Sequence, residues 1–306
     1  MGSAFGCLVG KASTVDGLLP RPMEAYRPIP IPPSSRAIVI GMGGGCDCFA
    51  AAAIAKLLQA ESSGATVLFA NCIGPRPLPQ DHTVITPSLF RVPEKAVALE
   101  PGDEAYGSTR LECSISRGPE GSPYLIQVPK DGKSGLSIEE VTRANAAAIG
   151  GALSVLKVDQ VVAVDLGGDS LTGGADFDGG SFEFGRDRQV LHALSTSGIP
   201  FIHIVCGPGC DGESTIDMMK SAVAKADESG ALLGVLQLDD LIPHMAEMAQ
   251  TLSSSRTPNI LSRALATVEA RRRGVPDAEG ECYAIERHGN QNLVPWSWLT
   301  VGLVFK

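Results

Sequence analysis

The chain predicts an α/β fold: a Rossmann-like, mostly parallel open sheet with helices on both faces, an inserted hairpin region and a C-terminal α/β extension. Two observations carry that expectation. Apolar, β-rich runs alternate with helical segments from residue 36 to 238, and three of those runs end in glycines plus a carboxylate just before a helix-like segment opens. The endings are GMGGGCD (41–47), DLGGD (165–169) and GPGCDGE (207–213). Parallel strands end on one rim of an open sheet, so these distant segments are expected to converge on a single polar pocket.

A chain of 306 residues, 44% hydrophobic and 19% charged, can bury a large core without a disulfide or metal staple. Its formal charge of -9 argues against nucleic acid as a partner, because a polyanion surface needs clustered Lys and Arg. The eight cysteines show no C-x-x-C spacing, which points to reduced thiols and a cytoplasmic setting. No apolar run approaches the ~18 residues of a membrane span, so no transmembrane segment is expected. Gly2 and Cys7 suggest N-terminal acylation, yet Gly6 stands where that motif wants Ser or Thr, which favours an unmodified leader.

The elements follow in order. Residues 1–35 carry Pro20, Pro22, Pro28, Pro30, Pro32 and Pro33 and read as an extended arm, with a single α/β domain over 36–306. A strand at 37–40, an alanine-rich helix at 49–60 and a strand at 66–71 make the first unit. Residues 74–135 lose the alternation and read as an elaborated insertion, with a hairpin expected between 111–115 and 124–128. Ser137 and Glu140 make a capping box for a helix to about 156. Strands are then expected at 160–164, 201–205 and 231–238, with helices at 185–197 and 214–227. Helices near 241–252 and 259–273 precede two apolar segments, 282–286 and 297–305, expected to pair at an edge.

In the first loop the third position of a dinucleotide fingerprint is Cys46, and the second strand ends in Asn71 and Cys72 rather than an acid. This argues against NAD as a cofactor, while the loop suits an anion held by the amides of Gly43, Gly44 and Gly45, or a purely structural turn. Asp47 reads either as a helix cap or as a base or metal ligand. Asp165 and Asp169 bracket Leu166, Gly167 and Gly168, and paired acids suit proton transfer or a divalent cation. With Asp176, Asp178, Glu183 and Asp187 they offer hard oxygens that fit Mg²⁺ better than zinc, against the plainer reading of a solvated acidic loop.

In the third loop Gly209, Asp211, Gly212 and Glu213 are candidate substrate contacts, and Cys210 is a candidate nucleophile with His192 or His203 as base. A buried inert thiol is the alternative for Cys210. Arg186 and Arg188 flank Asp187 and read either as anion binders or as surface ion pairs.

Taken together, GMGGGCD with its alanine-rich helix, VVAVDLGGDSL, GRDRQVL, VCGPGCDGE and GALLGVLQL resemble, in order, domain of unknown function 1152, a family of archaeal-type hypothetical proteins. The resemblance covers about residues 38–238. It implies an α/β sandwich in which Gly41, Gly43, Gly44, Gly45, Asp47, Asp165, Gly167, Gly168, Asp169, Asp187, Gly207, Gly209, Asp211 and Gly212 are the matching positions. The chain departs from the family pattern at Cys46 and Cys48, where a glycine and a small aliphatic residue are usual.

The expected function is an enzyme acting on a small anionic or polar metabolite, of hydrolase or lyase type, with Asp165, Asp169 and Asp47 doing acid-base work or Asp165 and Asp169 holding Mg²⁺. A non-catalytic nucleotide or metabolite sensor is the alternative, and a redox-responsive thiol protein using Cys46, Cys48, Cys206 and Cys210 the third reading. Homo-oligomerisation is compatible with all three.

Overall fold

The computed structural model describes residues 6–8, 15, 17–28, 31–100, 109–115, 121, 123–129, 135–173, 185–275, 280–287 and 290–306. Gly2, Asp176, Asp178, Glu183 and His288 lie outside the described residues.

The N-terminal arm contributes a small antiparallel pair, β1 (Gly6–Leu8) with β2 (Tyr26–Pro28). The first strand of the main sheet, β3 (Arg36–Gly41), reads RAIVIG and is buried on both faces. Ala37 and Val39 join the core on one side and Ile38 and Ile40 the core on the other, as the two-residue period of a strand requires. Helix α1 (Asp47–Glu61), built on an alanine run with Phe49, Ile54 and Leu58 buried, returns the chain to β4 (Thr66–Ile73). β4 lies parallel to β3 with Asn71 opposite Gly41.

The described residues between 74 and 127 extend the sheet. β5 (Thr83–Thr86) and β6 (Leu89–Arg91) pair antiparallel, a short helix α2 (Arg110–Ser114) follows, and β7 (Tyr124–Gln127) lies parallel to β4 and antiparallel to β6. The hairpin expected between 111–115 and 124–128 therefore does not form. A five-residue apolar run carries too few periods to separate strand from helix, and Tyr124–Gln127 buries Leu125 and Ile126 by adding to the side of β4.

Helix α3 (Ile138–Val155) starts at the expected capping box: Ser137 Oγ accepts the Glu140 N–H at 3.3 Å, and the Glu140 carboxylate accepts the Ser137 N–H at 2.9 Å. The chain continues through β8 (Gln160–Leu166), the short α4 (Asp169–Thr172), α5 (Arg186–Thr196), β9 (Phe201–Cys206), α6 (Ile216–Glu228) and β10 (Leu232–Gln237). Helices α7 (Ile242–Met248) and α8 (Thr257–Arg272) follow.

The C-terminal segments depart from expectation. β11 (Cys282–Arg287) pairs with β12 (Asn290–Pro295) in a separate hairpin, while β13 (Val301–Phe305) inserts between β10 and β9, antiparallel to both. Every residue of β13 is buried, which explains its interior place: VGLVF has no polar face to give to water.

The nine-stranded sheet has the order β10-β13-β9-β8-β3-β4-β7-β6-β5, with β9, β8, β3, β4 and β7 mutually parallel. Helix α1 packs on one face, and α3 and α5 cover the other, where Ile149, Leu153, Val190 and Leu194 meet Ile38, Ile40 and Val161. Four adjacent parallel strands thus end side by side at residues 206, 166, 41 and 73. Among the described residues no helix is long and apolar enough to cross a membrane.

Candidate active site at the sheet rim

The rim brings the first two loops together through one carboxylate. Asp47, the first residue of α1, does not cap its own helix. Its side chain instead accepts the Gly43 N–H at 2.7 Å and the Leu166 N–H at 3.1 Å, joining the glycine loop after β3 to the end of β8. Asp165 and Asp187 meet it there: one carboxylate oxygen from each of Asp47, Asp165 and Asp187 lies within 4.8 Å of the others, and all three residues are buried. Burial holds each of the three carboxyls above the ordinary carboxylate range, and mutual repulsion raises Asp47 and Asp187 further. Gly43 makes the approach feasible, because a Cβ at that position would collide with the Asp187 carboxylate.

A second group adjoins the first. Asp169, Asp211 and Glu213 also bring one oxygen each within 4.8 Å, and this group is partly open, with Asp169 and Glu213 half-buried. Asp169 is held well above the ordinary range by burial and by repulsion from Asp187, Asp165, Glu213 and Asp211, and it hydrogen-bonds Asp165. Gly167, at φ +136°, is where the loops after β8 and β9 touch: any Cβ there would strike the Asp211 side chain, and its carbonyl accepts the Gly209 N–H at 2.6 Å.

Asp165 and Asp169 thus stay in contact through a hydrogen bond while each joins a different acidic group. The cause is local: Asp165 turns back onto the start of α4, accepting the N–H groups of Gly168 and Ser170 at 3.2 Å each and the Ser170 hydroxyl. Ser170 Oγ also lies 3.0 Å from His203 Nε2. His203 is buried and its pKa is lowered to about 3, chiefly by burial and then by Arg188, so it stays neutral. Asp165, Ser170 and His203 form one buried line that fixes Asp165.

Cations border the acids. Arg76 and Arg186 both donate to the Gly43 carbonyl, Arg76 at 3.5 Å. Arg76 also faces the buried Glu112 at 3.8 Å, whose Oε1 accepts from Asn71 at 2.8 Å. Arg188 turns elsewhere, to the Ser170 carbonyl at 3.2 Å.

The sequence model of a family described as a protein of unknown function (DUF1152) matches residues 109–271, more than half of the chain. The chain belongs to that family. No curated protein matches it. The matched stretch of this DUF1152 chain contains Asp165, Asp169, Asp187, Asp211 and Glu213, whereas the glycine loop and Asp47 precede it.

Cys210 is withdrawn as a nucleophile. It is fully buried, its thiol is pushed well above the ordinary range by burial and by Asp211, and its Sγ donates to the Cys206 carbonyl at 3.9 Å. Burial likewise pushes up Cys46, Cys48 and Cys206, so the four thiols lack the low pKa that a redox sensor needs. Cys46, Cys48, Cys72, Cys113, Cys206, Cys210 and Cys282 form no disulfide.

Sequence reading missed Ser170, Arg76 and Glu112. A signal existed for Arg76, because the loop after the second strand of a parallel sheet must reach the same rim as the first. None existed for Glu112, whose place depends on α2.

Proposed function

We propose that the protein is a Mg²⁺-assisted enzyme of hydrolase or lyase type, acting on a small anionic metabolite at the rim of its sheet. The observation that carries this reading is the meeting of the buried Asp47, Asp165 and Asp187 within 4.8 Å. Three hard-oxygen ligands without His or Cys suit Mg²⁺, which takes few carboxylates and leaves its remaining positions to water and substrate. A bound Mg²⁺ supplies Lewis-acid polarisation and an acidified water.

The chain's own residues have separable tasks. Asp187 makes no hydrogen bond among the described residues and is available to a cation, while Asp47 and Asp165 are held in place by backbone amides. Asp169, half-buried and raised by burial and by the like charges around it, is placed to serve as general acid toward the leaving group. Gly43 and Gly167 leave room for the carboxylates of Asp187 and Asp211, and Asp211 and Glu213 border the acids on the side of the third loop.

A thermal-shift screen of organic acids, phosphates and nucleotides with and without Mg²⁺, followed by mass spectrometry of the stabilising compounds, tests this reading. Asp169→Asn should abolish product formation while keeping Tm within a few degrees. Recovery of every stabilising ligand unchanged would replace the enzyme by a sensor.

A further inference from the structure

Away from the acids, α1, α7 and the sheet enclose a cavity of about 770 Å³. None of the rim carboxylates lines it, and Lys56 on its wall comes nine residues after Asp47, about 14 Å along α1. Its cause lies in the sequence of that helix. Phe49, Ile54 and Leu58 go to the core, whereas Ala52, Ala55, Lys56 and Gln59, at i, i+3, i+4 and i+7, line the cavity. The alanines have no atom beyond Cβ with which to cover β4, so Phe69 stays half-buried although its strand is an interior one, flanked by β3 and β7. Leu99, Ile115 and Met248 line the remaining sides. A hollow of this size among aliphatic and aromatic side chains is in the range that takes a small-molecule ligand.

The polar lining says what that ligand carries. The half-buried Gln59 and Ser114 are already spent on the fold: the Gln59 amide donates to the Ala65 carbonyl at 3.3 Å and accepts the Val67 N–H at 2.9 Å, and Ser114 Oγ donates to the Leu111 carbonyl at 2.7 Å. They ask nothing polar of a guest. Charge lies at the exposed mouth, where Lys56 comes from α1 and Glu247 from α7, and neither has an ion-pair partner among the described residues. A head group there meets one donor and one acceptor. A carboxylate is drawn to Lys56 but repelled by Glu247, and an ammonium the reverse, whereas a hydroxyl or amide accepts from the first and donates to the second.

We propose that this cavity is a second ligand site, which takes an uncharged amphiphile: an apolar body against Ala52, Ala55 and Phe69, and a hydroxyl or amide head between Lys56 and Glu247. The site is independent of the acids at the rim and stands whether or not they bind Mg²⁺.

The test is calorimetric titration of the whole protein with straight-chain alcohols from butanol to octanol, and with octanoate and octylamine as charged controls. Affinity should rise about three- to fourfold per methylene, and octanol should bind ~3-fold or more tightly than either control. Lys56→Gln should turn the preference toward octylamine and Glu247→Gln toward octanoate. Ala52→Phe fills the cavity from a half-buried position and should weaken octanol at least ~10-fold with the circular dichroism spectrum unchanged. If that variant does not fold, Ala52→Leu carries the same arm. No saturable octanol binding, normal binding to the filled variant, or charged heads that match octanol would overturn the proposal. So would a dimer, seen by analytical ultracentrifugation, that the filled variant dissolves, because the cavity would then seat a second copy of the chain.

Discussion

Asp187→Asn changes one atom of a buried side chain and should have opposite effects on stability with and without Mg²⁺. Carboxylate oxygens up to 4.8 Å apart repel by about 3.5 kcal/mol per ionised pair at an effective dielectric of ~20. Asp187 belongs to two such pairs, with Asp47 and with Asp165. Burial raises all three carboxyls, and repulsion raises Asp47 and Asp187 further. A carboxyl raised on folding contributes stability that is fully present at acidic pH and is lost as pH climbs through its folded-state value. At pH 8 in EDTA the asparagine variant should therefore be more stable by about 2 kcal/mol, roughly 3 °C in Tm for 306 residues. In millimolar Mg²⁺ the order should reverse, because the parent gains binding energy that the variant largely lacks. Differential scanning calorimetry at pH 5 and pH 8, in EDTA and in Mg²⁺, reads both effects. A variant destabilised in EDTA at pH 8 would refute the reasoning, since it would make Asp187 a structural acceptor rather than a repelled charge.

Gly43→Ala should abolish the Mg²⁺-induced rise in Tm, because its Cβ occupies the space of the Asp187 carboxylate; an unchanged Mg²⁺ response would show that Asp187 is not needed there. Ser170→Ala removes the hydroxyl bonded to Asp165 Oδ2, which keeps the backbone N–H of residue 170, and to His203 Nε2, and should cost about 1–3 kcal/mol, read as a lower urea midpoint at unchanged slope. His203, lowered to about 3 from an ordinary 6.5, stays unprotonated in the fold while the unfolded chain takes up a proton. Its contribution is present above pH 6.5 and lost as pH falls toward 3, at roughly 1.4 kcal/mol per pH unit, and the stability difference between parent and His203→Gln should show that slope. Iodoacetamide at pH 6.5 should modify Cys210 no faster than global unfolding exposes it; rapid labelling of the native protein would restore the nucleophile.

The rim was legible because its signals are local. RAIVIG, QVVAVDL and FIHIVC are apolar runs with nothing to show to water, and the glycines and aspartates that follow mark where each strand must stop. The parallel register then makes their ends neighbours. What could not be read depends on tertiary pairing. VGLVF is as compatible with an edge as with an interior strand, and only the gap between β9 and β10 decides its place. Leu111–Ser114 is too short for its period to be recognised, and with it the buried Glu112 that faces Arg76 escaped notice. Within the site, the spacing of Asp165 and Asp169 suggested chelation by one pair, whereas the glycine turn folds Asp165 onto Ser170 and brings in Asp47 and Asp187 from other loops.

The central claim is that carboxylates from three separate segments share one divalent cation. Crystals soaked in Mn²⁺, a Mg²⁺ surrogate with an anomalous signal, test it most directly. The account predicts an anomalous peak bounded by Asp47, Asp165 and Asp187, with carboxylate oxygens at roughly 2.1–2.3 Å, and no such peak in Asp187→Asn crystals. Mn²⁺ bound elsewhere on the molecule, with those three side chains unligated, would contradict it.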